Sequence, residues 1–388
     1  MRLIERSTIG ISCGSGVSET RLRQLSGNAA IVLATLLAIF LVGFTPTLVA
    51  QDTTALKVQT DVDWWHPPQG KLVGDVSAVA VGPDGSVWVL HRPRSLPEQD
   101  RANAAPPVLK YDPDGRFLAG YGGPGNGYDW PQVEHSLALD AQGHFWVSGS
   151  FHNDPTRADD AILEFTGDGH FVKQIGVQGA SKGDSDTKNV RAASDIYVND
   201  ATSEVYVSDG YANHRVVVFD RASGDFKRMW GAFGSQPPVL PPAGGTTGSA
   251  TGNEDVPFFE GLHGIEVSGD GLVYVADRLH QRIQVFALDG KYQKQFSVGV
   301  GQESPQTASG IAFSADPAQR YLFVSDFGNS RVLVFDRKSH EQLVSIGGGD
   351  SDVQVEMGGP HLIASGRDGS LYVAEVRGRK VLRLTFSE

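Results

Sequence analysis

Six short, largely apolar segments recur along the chain: "VSAVAV", "EHSLAL", "ASDIYV", "LHGIEV", "ASGIAF" and "PHLIAS". Each is followed by a polar or Gly-containing turn. In most repeats a second apolar run then ends in an acid, as in "VYVSD", "VYVAD", "LFVSD" and "LYVAE". Several third runs repeat as well, as "RVVVFD", "RIQVFA" and "RVLVFD". Short runs of this kind, punctuated by turn formers, predict strands. Their recurrence predicts one repeat architecture rather than several ordinary domains. The second residues of the six segments are Ser77, His135, Ser194, His263, Ser309 and His361, spaced 58, 59, 69, 46 and 52 residues apart. Those periods are near or above the blade lengths of propellers, with loops absorbing the excess. The expected fold is therefore an all-β, six-bladed β-propeller.

The last repeat supplies three strands, "HLIASG", "LYVAEV" and "KVLRLTF", while residues 55–66, "LKVQTDVDWWHP", look like a strand without a blade. Giving that strand to the last blade pairs the two ends of the propeller and leaves no open sheet edge. The insertions 93–107, 151–160, 178–192 and 234–256 are rich in turn formers. They are expected to form rims and to carry little core.

The alternation of Ser and His at the segment starts has a chemical consequence. In a propeller it brings three imidazoles, His135, His263 and His361, to one axis from every second blade. Three neutral imidazoles with an open fourth position form a recurrent catalytic zinc site. Channel histidines that merely bond water or backbone are the alternative. Because neighbouring strands are antiparallel, the residues at the end of the second strand lie at the same end of the propeller as the histidines. They are Arg92 in the first repeat, Arg278 in the fourth and, after Gly210, Tyr211 in the third. Paired guanidiniums suit a carboxylate, and a tyrosine can move a proton. Asp209, Asp277, Asp326 and Glu375, with Arg215, Arg282 and Arg331, recur across repeats and read as scaffold pairs.

Charge narrows the partners. The chain has 33 Lys and Arg against 45 Asp and Glu, a net −12 with no basic cluster, which argues against nucleic acid. Arg21 and Arg23 precede an apolar run from Ala29 to about Phe44, and small or apolar residues lead to Gln51. Residues 1–50 thus read as a secretory signal or an uncleaved membrane anchor, and residues 51–388 as an exported propeller, secreted, periplasmic or membrane-anchored. Cys13 is the only cysteine, so the propeller is expected to contain no disulfide.

The pattern "YVAD…R[IV]xVF" resembles the NHL repeat. From about residue 75 onward the chain is similar to the propeller of the peptidyl-alpha-hydroxyglycine alpha-amidating lyase family, most specifically over "VSDGYANHRVVVFD" to "LHGIEVSGDGLVYVADRLHQRIQVF". The resemblance implies a zinc held by His135, His263 and His361, substrate-facing Arg92 and Arg278, and a catalytic Tyr211. It implies cleavage of the N–C bond of a peptidyl- or N-acyl-alpha-hydroxyglycine to an amide and glyoxylate. The substrate is then a small molecule or peptide with a C-terminal carboxylate. The protein is expected to be a monomer, with no contact to membrane except through an N-terminal anchor. The family's last histidine is followed by an aspartate tied to a structural calcium. Here Leu362 stands in its place, so calcium is not carried over. The competing readings are a non-catalytic exported NHL propeller that binds a peptide, glycan or protein, and a lactonase-like hydrolase. The latter fits less well because such sites rely on carboxylates.

Overall fold

The repeats set the architecture directly. The structure, a computed structural model, describes residues 56–238 and 255–387. The expected signal or anchor lies outside these residues, as does most of insertion 234–256. Six antiparallel sheets follow one another, with first strands Asp75–Val81, Glu134–Leu139, Asp195–Asn199, Leu262–Val267, Ala308–Phe313 and Pro360–Ser365. They are numbered here as blades 1 to 6. Within blades 1 to 5 the strands pair in chain order. Residues from all six first strands, among them Val79, Leu137, Ile196, Ile265, Ile311 and Ile363, line one cavity of about 250 Å³. This places the six first strands around a common axis.

The second and third strands of blade 3, Glu204–Asp209 and Arg215–Asp220, show why the strand sequences lack simple alternation. Nearly every residue in them is buried, because each blade is covered on both faces by its neighbours. Separate apolar clusters fill the spaces between blades. Between blades 1 and 2, Trp88 packs on Phe145 at 5.4 Å between ring centroids, with Leu163 and Val147 around them.

Closure follows the expectation. Lys57–Asp61 pairs antiparallel with Lys380–Ser387, from Lys57 opposite Ser387 to Asp61 opposite Arg383, and completes blade 6. The strand is shorter than 55–66. The chain turns after Asp61 so that Trp64 and Trp65 enter the core between blades 6 and 1, where Trp64 lies 4.8 Å from the ring of Tyr372. Blade 5 has one strand more than the four of each other blade. Val353–Gln354 adds a short parallel fifth strand on Gln342–Gly347, held by the Asp352 carboxylate, which accepts from both the amide and the hydroxyl of Ser345 at 2.8 Å.

The insertions contribute more to the interior than their composition implied. Leu96, Ala105, Ala158, Val190 and Ala192 are buried. For the loop 178–192 the reason lies in an arginine of a third strand. Fully buried Arg215 pairs with Asp209 at 2.9 Å, and its remaining donors bond the main-chain oxygens of Asp184, Asp186 and Asn189. One guanidinium thereby pins the loop 178–192. Arg282 pairs with Asp277 and bonds the carbonyls of Val256 and Phe258. Arg331 pairs with Asp326 at 2.8 Å, whereas Glu375 meets Lys380 at 3.9 Å. The scaffold pairs thus also hold down the rim.

Candidate metal centre

His135, His263 and His361 are each the second residue of a first strand, and each sits where pairing with the second strand is interrupted. The register shifts between Glu134 and Ser136, between Leu262 and Ile265, and between Pro360 and Ile363. A bulge adds a residue without a partner and re-aims its side chain, which is why bulges gather at functional sites. Here the three rings come together, with centroids 5.1 Å apart for His135 and His263 and 4.7 Å for each of these with His361. One ligand nitrogen from each lies within 4.8 Å of those of the other two.

The serines that alternate with the histidines now acquire a role. His135 Nδ1 donates to the main-chain oxygen of Ser194 at 2.7 Å, His263 Nδ1 to that of Ser309 at 3.1 Å, and His361 Nδ1 to that of Ser77 at 2.6 Å. Each bond runs to the next blade, and the third closes the ring from blade 6 to blade 1. A carbonyl can only accept, so Nδ1 carries the hydrogen and Nε2 is left with its lone pair. Such a bond to the non-ligating nitrogen is the usual outer support of metal-bound histidine. Gly264 permits one of these contacts: a Cβ there would stand 2.4 Å from the oxygen of Ser309.

All three rings are buried. For His135, burial acts first, followed by His361 and Arg92, and holds the imidazole well below its ordinary range against the opposing bond to Ser194. For His263, burial and then Arg278 and the other two imidazoles do the same. Burial and Arg92 bring His361 down to about 3. Three neutral nitrogen donors in a tight group fit a divalent transition metal such as zinc.

The other candidate residues lie around this trio. The Tyr211 hydroxyl is 2.9 Å from His135 Nε2 and 3.2 Å from His263 Nε2, so it can donate to either lone pair. The Arg278 guanidinium stands 5.4 Å from the centre of the Tyr211 ring, and its buried Nε has no hydrogen-bond partner among the described residues. Arg278 itself opens a 3-10 turn, Arg278–His280, directly after the second strand of blade 4. Arg92 ends the second strand of blade 1, and its Nε donates to the oxygen of Glu134 at 2.7 Å. Burial draws its pKa down, opposed first by Tyr211 and then by Asp75 and Glu134. The structure thus brings all six candidate residues to one end of the channel. Leu362 packs in the core and lines the cavity on the axis, where it offers no oxygen ligand.

Two rim residues escaped the sequence reading. His152 follows the second strand of blade 2, Phe145–Gly149, and its ring lies 6.1 Å from that of Tyr211 at 23° between planes. Phe327 follows the second strand of blade 5 and packs edge-on against His361 at 5.8 Å, with the Arg377 guanidinium over its own ring at 4.7 Å. The rule that singled out Arg92, Tyr211 and Arg278 points to Phe327, directly after Asp326, when applied to blade 5, but not to His152, which lies three residues past Gly149.

No family model matches the chain. Among curated proteins it is 25% identical over 369 residues to peptidyl-glycine alpha-amidating monooxygenase B of Xenopus laevis, covering 85% of this chain and 36% of that protein. It is 24% identical over 364 residues to the peptidylglycine alpha-amidating monooxygenase of Rattus norvegicus, covering 85% and 32%. NHL repeat-containing protein 3 of Homo sapiens is 24% identical over 341 residues, covering 85% and 84%. The chain thus spans about a third of the length of the two amidating relatives. Solved structures with the same fold include a streptogramin B lyase, with a TM-score of 0.51, 13% identity and coverage of 86% of this chain and 98% of that one. Virginiamycin B lyase from Staphylococcus aureus aligns with a TM-score of 0.51 and 14% identity, covering 85% and 99%.

Proposed function

We propose that this protein, an NHL-repeat six-bladed propeller resembling the amidating enzymes, is a zinc-dependent lyase acting on a peptidyl- or N-acyl-alpha-hydroxyglycine. One observation carries the reading. Three buried imidazoles have their Nδ1 atoms committed to carbonyls, so that three Nε2 lone pairs remain beside a tyrosine hydroxyl and two guanidiniums.

His135, His263 and His361 would hold the metal. When bound, zinc supplies a Lewis acid that lowers the pKa of a substrate hydroxyl. Arg92 and Arg278 receive the substrate carboxylate. The Nε bond of Arg92 to Glu134 orients its guanidinium, and Arg278 brings donors that are already desolvated. Tyr211, directly or through water, takes the hydroxyl proton. The oxygen pair then forms the aldehyde, and the N–C bond breaks with its pair going to nitrogen, which takes up a proton, giving an amide and glyoxylate with no change of redox state. The substrate reaches the protein outside the cytoplasm, where the basic-then-apolar N-terminus would direct a monomeric propeller.

The test combines metal analysis with turnover. About one zinc per chain is expected, with glyoxylate released from an N-acyl-alpha-hydroxyglycine, lost on chelation and restored by zinc. Absence of glyoxylate from any such substrate with the zinc-loaded protein overturns the reading. A second reading, a non-catalytic propeller that binds a peptide, glycan or protein on the same rim, is favoured by the match to NHL repeat-containing protein 3 over 84% of its length. Failure to take up zinc after supplementation would select it.

A further inference from the structure

We infer that His152 is the acid that protonates the departing nitrogen, a role that rests on the lyase reading above. The cleavage needs two proton events at different atoms, removal from the substrate hydroxyl and delivery to the nitrogen. Tyr211 accounts for the first. The histidines around the mouth separate clearly for the second. His135, His263 and His361 are buried and have both nitrogens engaged, one with a carbonyl and one facing the shared centre. His91 is buried, with Nδ1 accepting from the Gly74 amide and Nε2 donating to the Pro106 oxygen. His280 is buried between Asp277 at 2.9 Å and Glu260 at 3.7 Å.

His152 is different. It is half-buried, on the loop that follows the second strand of blade 2, so water can reach it. Its Nδ1 donates to the oxygen of Ser150 at 2.8 Å. That bond fixes the ring and makes Nε2 the atom that gains and gives the exchangeable proton. Nε2 has no hydrogen-bond partner among the described residues. The ring stacks beside the tyrosine that collects the hydroxyl proton.

The step balances. The hydroxyl proton passes to Tyr211, the oxygen pair forms C=O, and the N–C pair goes to nitrogen, which takes the proton from His152 Nε2. Tyr211 has then gained a proton and His152 has lost one. Transfer of that proton between the two neighbouring rings through water restores both for the next turnover.

The experiment uses the zinc-loaded full chain, His152→Ala and His152→Asn, the latter keeping a donor for Ser150. The substrates are a series of alpha-hydroxyhippurates carrying methoxy to nitro groups on the benzoyl ring, with glyoxylate release as the readout. A proton donor predicts a loss of kcat on the order of 10²-fold with the methoxy and unsubstituted compounds, shrinking with the nitro compound, whose nitrogen leaves more readily unprotonated. KM and zinc content stay at wild-type values, and added imidazole restores part of the rate of His152→Ala. Variants that match wild type across the series overturn the role. So does an equal loss on every member without imidazole rescue, which marks a residue that only shapes the loop. A wild-type protein that releases no glyoxylate from any member removes the lyase reading itself, and this role with it.

Discussion

His135 in blade 2 donates from Nδ1 to the carbonyl of Ser194 in blade 3 at 2.7 Å, so the tautomer of a candidate metal ligand is set by the neighbouring blade. The same relationship joins blade 4 to blade 5 and blade 6 to blade 1. The site therefore depends on how the blades pack against one another as much as on the histidines themselves.

Replacing His263 with Ala should remove or greatly weaken zinc binding while the propeller stays folded. One of three ligands is lost, and the strands around it keep their pairing. Metal analysis beside circular dichroism checks both halves, and zinc retained at wild-type affinity would remove His263 from the ligand set.

Gly264→Ala tests the support rather than the ligand. Its Cβ would press within 2.4 Å of the Ser309 oxygen, displacing the acceptor of His263 Nδ1. Zinc affinity is expected to fall about 10-fold or more, in line with the loss of outer-shell support. Gly348→Ala, where nothing lies within 4 Å of the new methyl, is the matched control and should bind as wild type.

Tyr211→Phe and Arg278→Ala should fail differently on an N-acyl-alpha-hydroxyglycine. The phenylalanine variant is expected to keep KM and zinc while kcat falls on the order of 10²-fold or more, because only proton transfer is lost. The alanine variant should raise KM and lower kcat together, since a carboxylate anchor serves the ground state and the transition state alike. Steady-state kinetics of glyoxylate release separates the two patterns.

His91 makes stability depend on pH. It is fully buried and neutral, and burial lowers its pKa to about 4 in the folded protein. An unfolded histidine titrates near 6.5, so between pH 6.5 and 4 the unfolded chain binds more protons and stability falls as pH falls. The full effect is about 3 kcal/mol, present above pH 6.5 and lost by about pH 4. Denaturant midpoints measured across that range should shift less in His91→Gln than in wild type. Equal shifts would show that His91 contributes nothing to the acid limb.

A chain beginning at Gln51 should be more stable than one beginning after Pro67. The shorter chain loses Lys57–Asp61, opens the edge of Lys380–Ser387, and leaves a void where Trp64 and Trp65 packed. A loss of about 3 kcal/mol or more and a tendency to self-associate are expected, since each buried tryptophan alone contributes on that scale. Equal unfolding midpoints for the two chains would show that the strand does not close the ring.

The fold was legible in the sequence because its cause is local and repeated: similar apolar runs return in every blade, with acids and arginines at fixed places in several of them, and the first and last strands of the propeller supply complementary parts of one sheet. The positions of His135, His263, His361, Arg92, Arg278 and Tyr211 followed from register for the same reason. Sequence could not show which way a ring points. That was decided by the bulges at Glu134, Leu262 and Pro360, and by carbonyls of Ser194, Ser309 and Ser77 that lie 46 to 284 residues away along the chain. His152 was missed because it lies three residues past the end of its strand, at Gly149, and comes beside Tyr211 only through the path of a loop. The buried part of the insertion 178–192 was hidden because its anchor, Arg215, lies on another segment and acts through main-chain oxygens that any sequence would offer. Periodicity records which face of a strand is buried, whereas contacts between blades join residues with no fixed spacing, and only the closed ring of six brings them together.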